Sequence, residues 1–507
     1  MLTALRSLAL TPLLAAALAS PSAGQCLAET LGTEPNGYGF TVSANDGLMV
    51  ASQYVLDGPT TVWSLGAGGH VAGSVPSPGN SAFMEDVEIR NTSLGVARTL
   101  VGTLTTSRLA FLFLETDLGL EISLAIASPL LAPAQIISIT ENSAGVWFAV
   151  ASPDDGDDGH VSLYLSTATN PTPTFVTTID PAVGGSPGAR FGVSVSMADD
   201  VMVISCPNSD IQVQNGGHFE VYEFDGSAWV FTGFFVGVET NNYAFGRVYT
   251  DGTTVMAATV LSDDGAVNAG KVDFFRFGLS GLAYETTSTS AVTEERYGFT
   301  ADIDGDHAII GTANGERVRM FERVGGGWVQ TGETTAPDPG LGFGTAVAVD
   351  ASPNPGATEP RFYVGHTGYD EGEGAVHVYS VATSGVTSLP TELAGFLGMA
   401  PTLAATSDVC AFAGDLELLA SDMRPTTAAT LVIGFSTLSA PFKGGTLGPS
   451  PDLIVPGLPT GFGGLPLSLP LPYGAAGLDL ALQLWVQDVD GPVGFSATNT
   501  LVVSLGG

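Results

Sequence analysis

Through the middle of the chain, apolar and polar residues alternate with a period of two in short runs, and the runs are separated by acidic or glycine-rich turns. In Phe191-Gly192-Val193-Ser194-Val195-Ser196 successive side chains fall on opposite faces, Asp199-Asp200 supplies a tight turn, and Val201-Met202-Val203-Ile204 runs back. Residues 208–217 then form a longer loop, 219–224 a third strand, Asp225-Gly226 a second turn and 229–232 a fourth strand. No segment carries the 3.6-residue periodicity of an amphipathic helix. The pattern predicts an all-β protein assembled from four-stranded antiparallel units.

The unit recurs. Phe191-Gly192, Phe245-Gly246 and Phe343-Gly344 each open an alternating segment, with Tyr38-Gly39-Phe40 and Tyr297-Gly298-Phe299 as variants. Phe245 follows Phe191 by 54 positions, Phe299 follows Phe245 by 54 and Phe343 follows Phe299 by 44. A period near fifty fits one four-stranded propeller blade with its loops. A second column, Tyr164, Tyr222, Phe275, Phe321 and Tyr379, closes the third strand of each unit, and a third, Phe175, Trp229, Tyr284 and Trp328, falls in the fourth strand. Three units before Phe191 and four from it onward predict a seven-bladed β-propeller over residues 25–395. Beyond 395 the columns stop and proline-rich loops take over, so 396–507 read as a small β-sandwich-like module.

These columns, Phe-Gly-x-Ser-Val-Ser, an acidic turn, an apolar strand, a loop ending in Gly-Gly and then x-Val-Tyr, resemble the short bacterial form of the FG-GAP repeat. Relatives of that repeat build the head of integrin alpha chains. The resemblance runs from about residue 130 to 390 and implies a non-catalytic binding or adhesion propeller. Segment 491–499, Gly-Pro-Val-Gly-Phe-Ser-Ala-Thr-Asn, is similar to the closing part of a β-rich module at the C-termini of exported bacterial repeat proteins.

Charge narrows the partners. With 51 Asp+Glu against 15 Lys+Arg the formal net charge is −36, which argues against nucleic acid. The N-terminus carries Arg6, an apolar run over 8–19 and small residues to Gly24, the three parts of a signal peptide, with candidate cuts after Ala19 or Gly24. The run is too short to span a bilayer and no later segment is long enough, so the mature protein is expected to be secreted or held at the cell surface. Gln25 stands where a lipid-modified Cys26 would need a small residue. Cys26, Cys206 and Cys410 permit one intramolecular bridge at most and show no zinc spacing.

Candidate chemistry is sparse. Asp154, Asp155, Asp157 and Asp158 crowd four carboxylates into one loop, where Ca²⁺ could relieve their repulsion or water alone could solvate an exposed turn. Asp302, Asp304 and Asp306 resemble a calcium loop, yet Asp304-Gly305-Asp306 occupies the hairpin turn that Asp199-Asp200 and Asp251-Gly252 fill in neighbouring units, so turn chemistry accounts for it. Gly184-Gly185-Ser186-Pro187-Gly188 matches a serine-hydrolase pattern without the strand-to-helix elbow that chemistry needs. The six histidines are scattered. No cofactor is implied and no catalytic residue stands out. The expected function is therefore binding to an extracellular protein or glycan, with a hydrolase or lyase acting on extracellular polysaccharide as the alternative.

Overall fold

In the computed structural model the described residues are 25–31, 38–53, 61–66, 69–74, 82–104, 107–115, 121–127, 136–154, 158–184, 187–238, 244–278, 281–314, 316–336, 342–351, 360–381, 385–405, 415–461, 464–470 and 479–504. The 1–24 leader expectation, Cys410, Ser186, Asp155 and Asp157 lie outside them. The described part is nearly all strand, with one helical turn at Tyr369–Gly372 and two short 3₁₀ turns. No helix among the described residues is long and apolar enough to cross a membrane.

Seven four-stranded antiparallel sheets follow one another along the chain, over residues 38–74, 82–127, 136–179, 195–236, 247–289, 297–335 and 343–381. They are numbered here as blades 1 to 7. The first six each run in simple sequence order. Blade 7 takes only three strands from its own segment, and its outermost strand is Gln25–Leu31 from the N-terminus, paired antiparallel to Ala375–Val381 with Gln25 opposite Val381 and Leu31 opposite Val376. First and last segments of the ring are thus joined by main-chain hydrogen bonds. The inner strands Tyr38–Asn45, Ala82–Thr92, Ile136–Asn142, Val195–Ala198, Arg247–Thr250, Tyr297–Asp304 and Phe343–Asp350 stand side by side around a central channel. This is the seven-bladed β-propeller the periodicity predicts.

Apolar side chains pack between blades. At the seam of blades 3 and 4, Trp147, Ala149 and Leu163 meet Phe191, Val195 and Met202; at that of blades 6 and 7, Ile309, Val318 and Met320 meet Phe343, Val347 and Phe362. The closing seam of blades 7 and 1 joins Leu31, Tyr363, Val376 and Val378 to Met49 and Ala51. A single fully buried side chain of this size stabilises by roughly 1.5–3 kcal/mol.

Two columns shift from their sequence assignment. In blade 6 the buried aromatic is Tyr297, fully enclosed, and Phe299 lines the channel. In blade 5 the equivalent of Phe191 is Ala244 and not Phe245. Gly159, Gly217 and Gly270 each precede a third strand, and a Cβ on them would strike the carbonyl oxygens of Phe191, Ala244 and Tyr297 at 2.4, 2.3 and 2.2 Å. Those three glycines have φ of 85°, 77° and 87°, which an L side chain resists, so backbone contact and handedness both demand glycine. Phe245 takes the left-handed place that Gly192 and Gly298 hold, with φ 58° against 89° and 86°. The fourth-strand column also divides: Phe175 and Tyr284 pair opposite Tyr164 and Phe275, whereas Phe231, not Trp229, stands opposite Tyr222, and Trp328 stands opposite Arg323.

After blade 7 the strand Gly385–Leu389 already pairs with Thr500–Ser504 in the C-terminal module, so residues 385–389 sit in that module's sheet rather than in the propeller, ahead of the boundary expected at 395. Its two main sheets enclose a core in which Leu403, Leu416 and Leu418 of one face Leu431, Leu482, Leu484 and Leu501 of the other, a small β-sandwich.

A chain ending at Val381 is expected to fold as a propeller, because blade 7 is completed from the N-terminus and not by the module; removing Gln25–Leu31 from it should lower the melting midpoint sharply or abolish the cooperative transition. Calorimetric melts of the two truncated chains check this, and equal midpoints would show that the N-terminal strand does not close the ring.

Candidate functional site: the central channel

The channel is an open cavity of about 660 Å³ walled by all seven inner strands. An inner strand faces its neighbour with an unpaired edge, and its outward N–H groups need acceptors. The sequence supplies them from side chains of the adjacent blade. Ser43 Oγ and Asn45 Oδ1 of blade 1 accept the Ile89 and Asn91 N–H groups at 3.2 and 2.9 Å, and a Glu141 carboxylate oxygen of blade 3 accepts the Ser93 N–H of blade 2 at 2.9 Å. Ser138 Oγ accepts the Met197 N–H at 3.0 Å, and Ser194 and Ser196 of blade 4 accept the Val248 and Thr250 N–H groups at 3.1 and 3.0 Å. Tyr249 bonds the Ala301 main chain. Asp302 and Asp304 of blade 6 accept the Val349 and Ala351 N–H groups at 2.9 and 2.8 Å, and Asp350 of blade 7 accepts the Gly47 N–H at 2.6 Å, which completes the circle.

Asp302 and Asp304 therefore do more than turn a hairpin. Asp304 ends the inner strand, whereas Asp302 sits inside it, with Ile303 N–H as a second donor at 2.9 Å. Burial pushes the Asp302 carboxyl up to about 7; the two main-chain N–H groups oppose this, and the charges of Asp304 and Asp350 add to it. Asp46 and Asp251, at the same hairpin end of the channel, are also raised, by burial first and then by Asp304.

Of the acidic-loop residues, Asp154 is exposed and receives Arg190 in a two-point contact, Nε to Oδ1 at 2.9 Å and a terminal nitrogen to Oδ2 at 3.4 Å, across the seam of blades 3 and 4. The Asp158 main-chain carbonyl accepts the Phe191 N–H at 2.7 Å. Among the described residues no three His, Cys, Asp or Glu side chains converge as a metal would require. The histidines are drawn into packing. His218 Nε2 lies 3.3 Å from Glu220, a fully buried carboxylate that also takes the Ala182 and Val183 N–H groups and the Tyr222 hydroxyl, which pins the connection from blade 3 to blade 4. His366 Nδ1 and His377 Nε2 pair at 3.2 Å in blade 7, and His377 Nδ1 lies 3.1 Å from the Thr30 hydroxyl of the closing strand.

At the other end of the channel sequence reasoning passed over Arg247 and placed Phe299 only in the Phe-Gly column. The signal was present for Arg247, which stands on an inner strand where other blades carry Ser194, Thr300, Ala346 and Thr41; Phe299 has an aromatic counterpart in Phe40 and gave no such signal.

Fold and channel define the protein's class as a β-propeller with a C-terminal β-sandwich. No protein-family model matches the chain, and no curated protein matches it. Among solved structures it is similar to the WD40 domain of Toxoplasma gondii coronin, 10% identical with a TM-score of 0.44 over 70% of this chain and 84% of that one. It is also similar to Saccharomyces cerevisiae Sqt1, 12% identical with a TM-score of 0.42 over 70% and 98%.

Asp302 yields a signed pH dependence. Its folded pKa lies above the unfolded value, so the folded state holds the proton more tightly, and stability falls as pH rises from about 4 to about 7. Asp302→Asn keeps an acceptor for Val349 and carries no charge, so it should remove on the order of 2 kcal/mol of that loss. Chemical denaturation of parent and variant at pH 4.5 and 7.5 measures it, and parallel pH profiles would show that Asp302 is charged in the fold without cost.

Proposed function

We propose that the protein is an exported, non-catalytic binding propeller that offers one end of its channel, with the surrounding loops, to an extracellular protein or glycan. The observation that carries this reading is how the channel carboxylates are used: Asp302, Asp304 and Asp350 each hold a neighbouring blade's N–H. Groups fixed in this way support the ring and are poorly placed to move protons on a substrate. The FG-GAP-like columns and the leader-like N-terminus point the same way. Both candidate cuts precede Gln25, the first residue of the closing strand, so either leaves that strand whole.

One observation favours polysaccharide hydrolysis or elimination instead. Asp302, with its carboxyl raised to about 7, has the protonation behaviour of a general acid. Exported protein with a mature N-terminus at Ser20 or Gln25, presented to a panel of extracellular polysaccharides and cell-surface proteins, separates the two. Retained ligand without new reducing ends or unsaturated products supports binding; product formation that disappears in Asp302→Asn establishes the enzyme.

Calcium, on this reading, is a modest stabiliser acting through the loop of Asp154, Asp155, Asp157 and Asp158. A cation bound only to the folded state stabilises by about 2.7 kcal/mol at a hundredfold excess over Kd. Melts with calcium and with chelator should therefore differ by a few degrees in the parent and not in Asp155→Asn/Asp157→Asn, while Asp304→Asn leaves the response intact. A response lost only in Asp304→Asn would reverse the assignment.

A further inference from the structure

Counting along five of the inner strands from the residue that leads each aligns the channel mouth at the strand-start end. Phe191, Ala244, Tyr297 and Phe343 lead blades 4 to 7. Tyr38 leads blade 1, where Tyr38 opposite Gln53 and then Val42 opposite Ala51 repeat the offset of Tyr297 opposite Thr312 and Ala301 opposite Ile310. Two residues on stand Val193, Gly246, Phe299, Thr345 and Phe40; three on stand Ser194, Arg247, Thr300, Ala346 and Thr41. The second layer is otherwise built from small and hydroxyl residues, so Arg247 is not what the propeller needs to close; the first is mixed, with Phe299 matched by Phe40 in blade 1.

Arg247 is half-buried, with its guanidinium carbon 5.6 Å from the centre of the Phe299 ring of the next blade. In a chain with 51 acidic and 15 basic residues, arginines readily find carboxylates. Arg190 meets Asp154, Arg317 meets Glu295, Arg323 meets Glu285 and Arg424 meets Asp488. Among the described residues Arg247 meets no carboxylate, which is true also of Arg90, Arg276, Arg296 and Arg361; what sets Arg247 apart is that its fork of donors lies beside an aromatic ring on the wall of a cavity within the size range of small-ligand sites.

We propose that this mouth binds a short carboxylate-bearing sugar, an oligouronate, with the carboxylate on Arg247 and the pyranose face on Phe299. The proposal rests on the binding reading above and names its ligand class. A uronate carries its carboxylate on the rim of a ring whose C–H face is apolar, so one residue meets both a guanidinium and a phenyl ring set side by side. An acidic peptide side chain supplies the charge without the face. The protein's negative field opposes a long polyanion, but charges beyond about 8 Å are largely screened at physiological salt, which favours a short oligomer.

Titration calorimetry with trigalacturonate, xylotriose and triglutamate as probes tests it. Trigalacturonate is expected to bind and the other two to bind at least tenfold more weakly, since loss of a charge-assisted two-point contact is worth about 1.5–3 kcal/mol. Arg247→Ala should weaken trigalacturonate about tenfold or more, Arg247→Lys less, and Phe299→Ala should weaken it with an unchanged melting midpoint, while the exposed Arg296→Ala has no effect. Equal binding of xylotriose, preference for triglutamate, no binding of trigalacturonate, or indifference to both Arg247 variants overturns the proposal. A neutral glycan or a protein bound elsewhere on the propeller would leave the broader binding reading standing while this one falls; release of sugar products would remove both.

Discussion

A ring of separate sheets must satisfy the hydrogen-bonding edges that face inward, and this structure meets the constraint with side chains. Inner strands cannot pair as one continuous sheet around the channel, because each already belongs to a twisted blade. Alternate main-chain N–H groups therefore point sideways toward the next blade. Ser43, Asn45, Ser138, Ser194, Ser196, Asp302, Asp304 and Asp350 receive them. A buried N–H left without a partner costs about 1–3 kcal/mol, so a chain of such contacts decides whether seven sheets lie at fixed angles or slide. Burying the Asp302 charge carries a penalty that burying the serines does not, which is why Asp302 is pushed toward neutrality while sitting on two donors.

Outside the channel, the seams depend on backbone proximity. Gly159, Gly217 and Gly270 bring the start of each third strand against the main chain that leads the next blade, so close that no Cβ fits. Once the backbones are that near, the residue leading the blade is held by its main chain, and its side chain is free to vary. That accounts for Ala244 standing where Phe191 and Tyr297 stand. The neighbouring Phe245 keeps an aromatic in the seam from a different position, against Phe219 at 5.1 Å.

Legibility in the sequence followed from whether a feature was periodic. The alternating strands, the turn pairs and the third-strand aromatics recur and mark the all-β class, while the count of seven came from the near-fifty spacing of the Phe-Gly column. The phase of the Phe-Gly column was misread because intervals of 54 and 54 looked regular while Phe245 and Phe299 each sat off the buried place, by one residue and by two. The last blade's partner strand could not be found from periodicity at all, since Gln25–Leu31 lies far upstream of Ala375–Val381, with 347 positions separating Thr30 from His377, and carries no Phe-Gly mark. Acidic residues were visible, but their role was not: Asp302 and Asp306 look alike in the sequence, and only the stagger between blades sends one to the Val349 N–H and leaves the other in a turn.

The chain's acidity bears on the channel through the same geometry. Asp46, Asp251 and Asp304 gather at the hairpin end, where burial and mutual repulsion raise Asp46 and Asp251, and Arg90 spans that floor by donating to the Ile139 and Met197 carbonyls at 3.1 and 3.4 Å. Arg190 and Arg247 stand toward the opposite end, the first tied to Asp154 and the second beside Phe299. Around one cavity these three Asp side chains gather where strands turn, with Arg90 among them, and the other two arginines stand where strands begin. The hairpin turns favour Asp for its fit to tight backbone geometry. A ligand entering from the strand-start side meets the arginines before it meets any carboxylate of the floor.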